Sequence, residues 1–204
     1  STLSSSSAAS DVYKRQAMVR SLSATDFQDA RLIINMGENS TDLAVVYNGA
    51  PRLIRMIPTG LSSLVRSAVQ NLSVQEDQAR QFILKFGLAP DKLDGQVLRA
   101  IDSTLDNFSS ELVKSIKFFQ TRYPNVAVSG ILLSGFGSAI PQLDGYVMNK
   151  TGVQSITADP WQRVQVSQSD QQQLAPIASE FAIAVGLAPV SYTHLRAHET
   201  GRNL

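Results

Sequence analysis

The first third of the chain carries its apolar residues in short runs, and the middle third carries them at helical spacing. Residues 31–35, RLIIN, are a compact run rich in branched side chains, which predicts a strand. The turn-type cluster MGENST at 36–41 follows, then a second strand, DLAVVYN, at 42–48. Asn48-Gly49 is a two-residue hairpin signal, because both central positions of such a turn need positive φ. PRLIRMIP at 51–58 completes a three-stranded antiparallel meander. Helical spacing begins at 61–72, where Leu61, Leu64, Val65, Ala68, Val69 and Leu72 make one stripe. Ser73 and Glu76 have the spacing of a capping box, which starts a second helix running to Phe86 with Gly87 as its C-terminal cap. A long helix over about 95–123 buries Leu98, Ile101, Leu105, Phe108, Leu112, Ile116 and Phe119, and Pro124 stops it.

The pattern then returns to strands. Residues 126–134 end in the apolar ILLS of a buried strand, and Gly135-Phe136-Gly137-Ser138 is a tight turn into a helix over 140–150 capped by Gly152. A short strand at 153–156, a turn at Asp159-Pro160-Trp161, an alternating pair at Val164 and Val166 and a final apolar helix over 174–187 complete the pattern. Strands and helices in this order predict an α/β domain with a mixed sheet and flanking helices.

The composition agrees with a globular chain. Of 204 residues, 43% are hydrophobic and 17% are charged, with a formal net charge of +1. Such a near-neutral balance argues against a dominant nucleic-acid-binding face. No apolar run approaches the roughly 20 residues that cross a bilayer. The absence of cysteine excludes thiolate catalysis and cysteine zinc sites.

Both ends read as something other than native protein. SSAASDVYKRQ at 6–16 and VSYTHLRAHET at 190–200 are in-frame translations of the two arms of a transposase-type sequencing adapter. Residues 1–16 and 189–204 are therefore expected to be adapter-derived, leaving 17–188 as the protein segment. That segment starts abruptly and reads as part of a longer protein. It contains no histidine, since His194 and His198 lie in the tail. Ser-His-Asp catalysis and histidine metal sites are thereby excluded from it.

Two glycine turns remain as candidate chemistry. The first spans Asn35, Met36, Gly37, Glu38, Asn39, Ser40 and Thr41 between antiparallel strands. Glycine lets backbone amides approach an anion, and Ser40 and Thr41 add hydroxyl donors. The second, Gly135, Phe136, Gly137 and Ser138, joins a strand to a helix whose first amides favour an anion. Taken singly, each reads more readily as a plain tight turn, because glycine punctuates loops generally.

In this order the two turns resemble the second half of the actin-like nucleotide-binding fold, where a hairpin with Asp-x-Gly-x-x-x-Thr forms a phosphate loop and a later strand-Gly-x-Gly-helix element forms the adenosine loop. The chain is most similar to the PilM family of type IV pilus assembly. The resemblance rests on INMGENSTDLAVVYNG at 34–49, ELVKSIKFFQ at 111–120, ILLSGFGSAIPQL at 131–143, DPWQRVQV at 159–166 and SEFAIAVGLA at 179–188. It implies an actin-like (ribonuclease H-like) domain II, with a larger subdomain over 30–72 and 95–188 and a small inserted helical subdomain over 73–94.

The resemblance also implies a site. Asn35, Gly37, Ser40 and Thr41 match the phosphate loop, and Gly135, Phe136, Gly137 and Ser138 match the adenosine loop. Glu111 and Lys114 resemble residues that contact adenosine; read from spacing alone they are a solvated (i, i+3) ion pair. The cofactor implied is ATP with Mg²⁺, bound weakly by half a cleft. Asn35 stands where the loop usually has Asp, which implies weak or absent hydrolysis, because a neutral amide is a poorer ligand than a carboxylate for a hard cation. The partners implied are the cytoplasmic tail of a PilN-like protein and other platform components, at the cytoplasmic side of the inner membrane, together with self-association through the bare half-cleft. An FtsA-like division protein or another actin-like ATPase is the alternative.

Overall fold

The computed structural model describes residues 29–157. The expected turn at Asp159, the Val164/Val166 pair, the helix over 174–187 and both adapter-like ends lie outside the described residues.

Three strands open the fold: β1 (Ala30–Met36), β2 (Thr41–Tyr47) and β3 (Ala50–Ile57). β1 pairs antiparallel with β2, and β2 pairs antiparallel with β3, which is the expected meander. Asn48 and Gly49 turn β2 into β3 with φ of 51° and 67°, the double positive φ that a two-residue hairpin requires. Helices α1 (Leu61–Leu72) and α2 (Glu76–Phe86) follow, then a 3₁₀ turn (Leu93–Gly95) and the long α3 (Gln96–Arg122). β4 (Val128–Gly135), the single-turn α4 (Phe136–Ala139), α5 (Leu143–Thr151) and β5 (Ser155–Thr157) complete the described residues.

The sheet has the order β3-β2-β1-β4-β5. β4 lies parallel to β1, and β5 lies parallel to β4. β1 is therefore central, which explains its unbroken apolar run: Leu32, Ile33 and Ile34 are all fully buried, so both faces of the strand are covered. One face carries Leu32, Ile34, Met36, Leu43 and Leu133 into a single core with Leu64, Ile83, Ile101, Phe108 and Leu112 of the helices. Ala79 and Ile83 of α2 belong to that same core.

Two elements differ from the sequence pattern. Ser73 is not the N-cap of α2. It ends α1 in the left-handed region, at φ 54° and ψ 41°, where a residue cannot take the extended geometry an N-cap needs. Gln75, at φ −71° and ψ 156°, fills that place without a side-chain capping bond. The helix expected from 140 begins instead at Leu143. Pro141 and a left-handed Gln142, at φ 62°, separate it from the single turn of α4. Gly87 does cap α2, donating its N–H to the carbonyl of Ile83 at 2.9 Å.

Candidate functional site

Parallel pairing of β1 and β4 brings both glycine turns to one end of the sheet. Met36 and Gly135 are register partners, so the chain leaves both strands side by side at their carboxyl ends. That end of a parallel pair is where open α/β sheets hold ligands.

The first turn is built tightly from backbone. The Gly37 N–H donates to the Ser40 carbonyl at 2.8 Å, and its own carbonyl accepts from the Leu61 N–H at 3.1 Å. The Glu38 carbonyl accepts from the Ser62 N–H at 2.9 Å, so the start of α1 is tied to the turn. Gly60 makes this possible: a Cβ there would lie 2.5 Å from the Glu38 carbonyl oxygen. The Thr41 hydroxyl is buried and donates to the Thr59 carbonyl at 2.7 Å, so it holds the fold.

The second turn is equally constrained. Gly135 has φ 64° and ψ −147°, a region open in practice only to glycine. A Cβ there would lie 2.3 Å from the Met36 carbonyl oxygen and 2.8 Å from Oδ1 of Asn35. The Asn35 side chain thus reaches the second turn from the first. Gly137 packs against Met36, with an added Cβ 3.5 Å from the Met36 Cβ. The Ser138 hydroxyl donates back to the Gly135 carbonyl at 2.7 Å. The helix entered here is only one turn, Phe136–Ala139, so the helix dipole expected for anion binding is short.

Asn35, Gly37, Ser40, Thr41, Gly135, Phe136, Gly137 and Ser138 are therefore assembled around one end of β1 and β4. Glu111 and Lys114 are not brought to this assembly. Glu111 lies on α3 over β3, where it pairs with Arg55 at 3.2 Å and with Lys114 at 2.7 Å. β3 stands two strand positions from β1 and three from β4, about 10 and 14 Å at the usual strand spacing. The Lys114 hydrogen bond, aided by Arg55, holds the Glu111 carboxyl below its ordinary value.

Two residues at the site were missed from sequence. The first is Asp42, the register partner of Asn35 on β2; Ser134 of β4 is Asn35's partner on the other side. Asp42, Asn35 and Ser134 therefore form a polar row across three strands, two positions beyond the apolar row of Ala44, Ile33 and Leu132 on the same face. The turn length was the available signal: if 36 pairs with 41, then 35 pairs with 42. The second is Arg80 of α2. Its guanidinium forms an ion pair with Glu38 of the first turn and lies 5.9 Å from the Phe136 ring centroid of the second. Nothing in the sequence placed α2 beside these turns. The docking is set by the end of α2, where a Cβ on Gly87 would lie 2.3 Å from the Pro141 carbonyl oxygen. That carbonyl also accepts from the Leu88 N–H at 3.0 Å.

A family model described as "Type IV pilus assembly protein PilM" matches residues 6–192. The chain belongs to the PilM family. Solved structures agree on the fold. A chain of a PilM–PilN type IV pilus biogenesis complex superposes with a TM-score of 0.69 at 22% identity, covering 87% of this chain and 49% of that one. MreB 5 of Spiroplasma citri bound to AMPPNP gives 0.65 at 14% identity, covering 93% of this chain and 60% of that one. The ethanolamine utilization protein EutJ from Carboxydothermus hydrogenoformans gives 0.58 at 14% identity, covering 84% and 53%. The fold of this PilM-family chain is thus actin-like, and the chain spans about half the length of the PilM chain it matches. Among the described residues no helix is long and apolar enough to cross a membrane.

Proposed function

We propose that this PilM-family chain supplies half of an ATP-binding cleft to a cytoplasmic scaffold of type IV pilus assembly. The observation that carries this reading is the convergence of the two glycine turns at the carboxyl ends of β1 and β4. Gly37 is partly open to solvent at this end, and Gly135, itself buried, lacks a Cβ so that the second turn can close on Met36 and Asn35 of the first. The AMPPNP-bound MreB neighbour shares the fold that carries these turns, which supports a nucleotide as the ligand.

In this reading ATP is a conformational ligand more than a fuel. The turn residues bind and orient the polyphosphate, and a second half-cleft from the remainder of a longer protein closes over it. Mg²⁺ bound with ATP would offset the phosphate charge. Asn35 gives it a neutral oxygen only, while Asp42 stands in register on the neighbouring strand. Hydrolysis is accordingly weak or absent. Closure would shift the population of a partner-binding state. The partner is a PilN-like cytoplasmic tail, and the location is peripheral to the inner membrane through that tail. The PilM–PilN complex among the structural neighbours supports this partner.

Isothermal calorimetry with ATP and Mg²⁺ tests the half-cleft. Weak, millimolar-range binding by this chain and tighter binding by a longer PilM parent are expected. Micromolar binding by this chain alone would contradict the need for a second half.

A further inference from the structure

One side chain joins the two turns, and it is not part of either. Arg80 projects from α2, whose backbone is held by buried Ala79 and Ile83 and by the Gly87–Pro141 contact. Glu38 projects from the first turn, whose carbonyl is fixed by the Ser62 N–H. The pair between them is therefore a strap of two side chains mounted on rigid backbone. Both ends are partly open to solvent, with side-chain exposures of 33% for Arg80 and 41% for Glu38. Beneath the strap, the Arg80 guanidinium rests over the Phe136 ring, within the range of a cation–π contact.

Arg80 therefore touches both turns, at Glu38 of the first and Phe136 of the second. Resting on the nucleotide reading above, we propose that Arg80 is a polyphosphate-contacting residue of this site, and that Glu38 is its place-holder when the site is empty. The chemistry favours the exchange. A guanidinium binds a phosphate through two parallel N–H···O bonds, and a phosphate offers more charge than one carboxylate. Arg80 can turn from Glu38 to phosphate while keeping its face on Phe136, so the swap needs only rotamer changes. Glu38 opposes binding twice: it occupies Arg80, and its own charge repels the polyphosphate.

The test is a ¹⁵N NMR titration of the 204-residue chain, following the amides of Gly37, Gly135 and Gly137, with ATP, inorganic tripolyphosphate and adenosine as separate probes. Glu38→Gln should tighten ATP and tripolyphosphate about two- to fivefold, the range covered by releasing an exposed ion pair, and leave adenosine unchanged. Arg80→Gln should weaken both anions, and Arg80→Lys should fall between, because it keeps the charge without the planar fork. Adding Glu38→Gln to Arg80→Gln should tighten the anions less than Glu38→Gln does in the parent, because only the charge repulsion is then relieved. Unchanged spectral dispersion shows that each variant is folded. If the parent chain binds ATP and Glu38→Gln binds it no tighter, the strap is refuted and the nucleotide site stands. If no form, Glu38→Gln included, shifts with ATP at millimolar concentration, the nucleotide reading itself fails and takes the strap with it.

Discussion

Replacing Gly135 with alanine should be among the most damaging single-methyl changes in this chain. Two independent penalties add at that position. The backbone sits at φ 64° and ψ −147°, which for a residue with a Cβ costs about 1–3 kcal/mol. The new Cβ would also stand 2.3 Å from the Met36 carbonyl oxygen. That oxygen belongs to β1 at the register partner of Gly135 and cannot retreat without loosening the β1–β4 pairing. Forced overlap in a packed region adds about 1–3 kcal/mol. The sum is about 2–6 kcal/mol, a large part of the stability of an ordinary domain. Urea unfolding followed by circular dichroism measures it. Gly145→Ala is the internal control: it lies within α5 and a Cβ there meets nothing within 4 Å, so it should stabilise by about 0.5–1 kcal/mol. A Gly135→Ala variant within 1 kcal/mol of the parent would show that the turn relaxes freely, and the argument that its backbone is fixed against β1 would fall.

Three further outcomes follow from particular contacts. Asn35→Asp restores a carboxylate beside Gly135 and should raise the Mg²⁺ dependence of ATP binding; calorimetry with and without the metal reads it, and an unchanged dependence would remove Asn35 from the site. Glu111→Gln should leave ATP affinity unchanged, because Glu111 pairs with Arg55 and Lys114 over β3; a loss of affinity in the same NMR titration would return α3 to the site. Asp106 accepts from Lys150 at 2.6 Å and from Tyr146 at 3.0 Å, and the Lys150 hydrogen bond foremost lowers its pKa below the ordinary 3.8. A lowered carboxyl stabilises above its ordinary value and loses that contribution as pH falls through its folded value. Parent and Asp106→Asn should therefore differ in urea midpoint at pH 7 and converge as pH falls through the lowered value of the Asp106 carboxyl; a gap that persists in acid would assign the effect to packing.

How much of this was legible before the structure depends on the range of the cause. The meander was legible because Asn48-Gly49 acts within two residues and the apolar run of β2 acts within seven. The long α3 was legible because its buried stripe repeats over the whole helix, from Ile101 to Phe119. Ser73 was misread because a Ser-x-x-Glu spacing fits a helix start equally well when the serine ends the preceding helix. Only the length of the link between α1 and α2 separates the two cases. Asp42 and Arg80 were illegible for different reasons. Asp42 joins Asn35 through strand register, which the turn length encodes but the residue types do not. Arg80 reaches the turns through the docking of α2 on Pro141, a contact between residues far apart in the chain. Glu111 and Lys114 were assigned by likeness of motif, and their helix crosses a different part of the sheet.

The account stands most directly on where ATP touches this chain. A ¹⁵N NMR titration with ATP at millimolar concentration, assigned residue by residue, decides it. The account predicts that the largest shifts fall on the amides of residues 36–41 and 135–138 and on the Arg80 side-chain Nε–H, with little change near Arg55 and Glu111. Shifts that cluster over β3 and α3, or none at all, would contradict it.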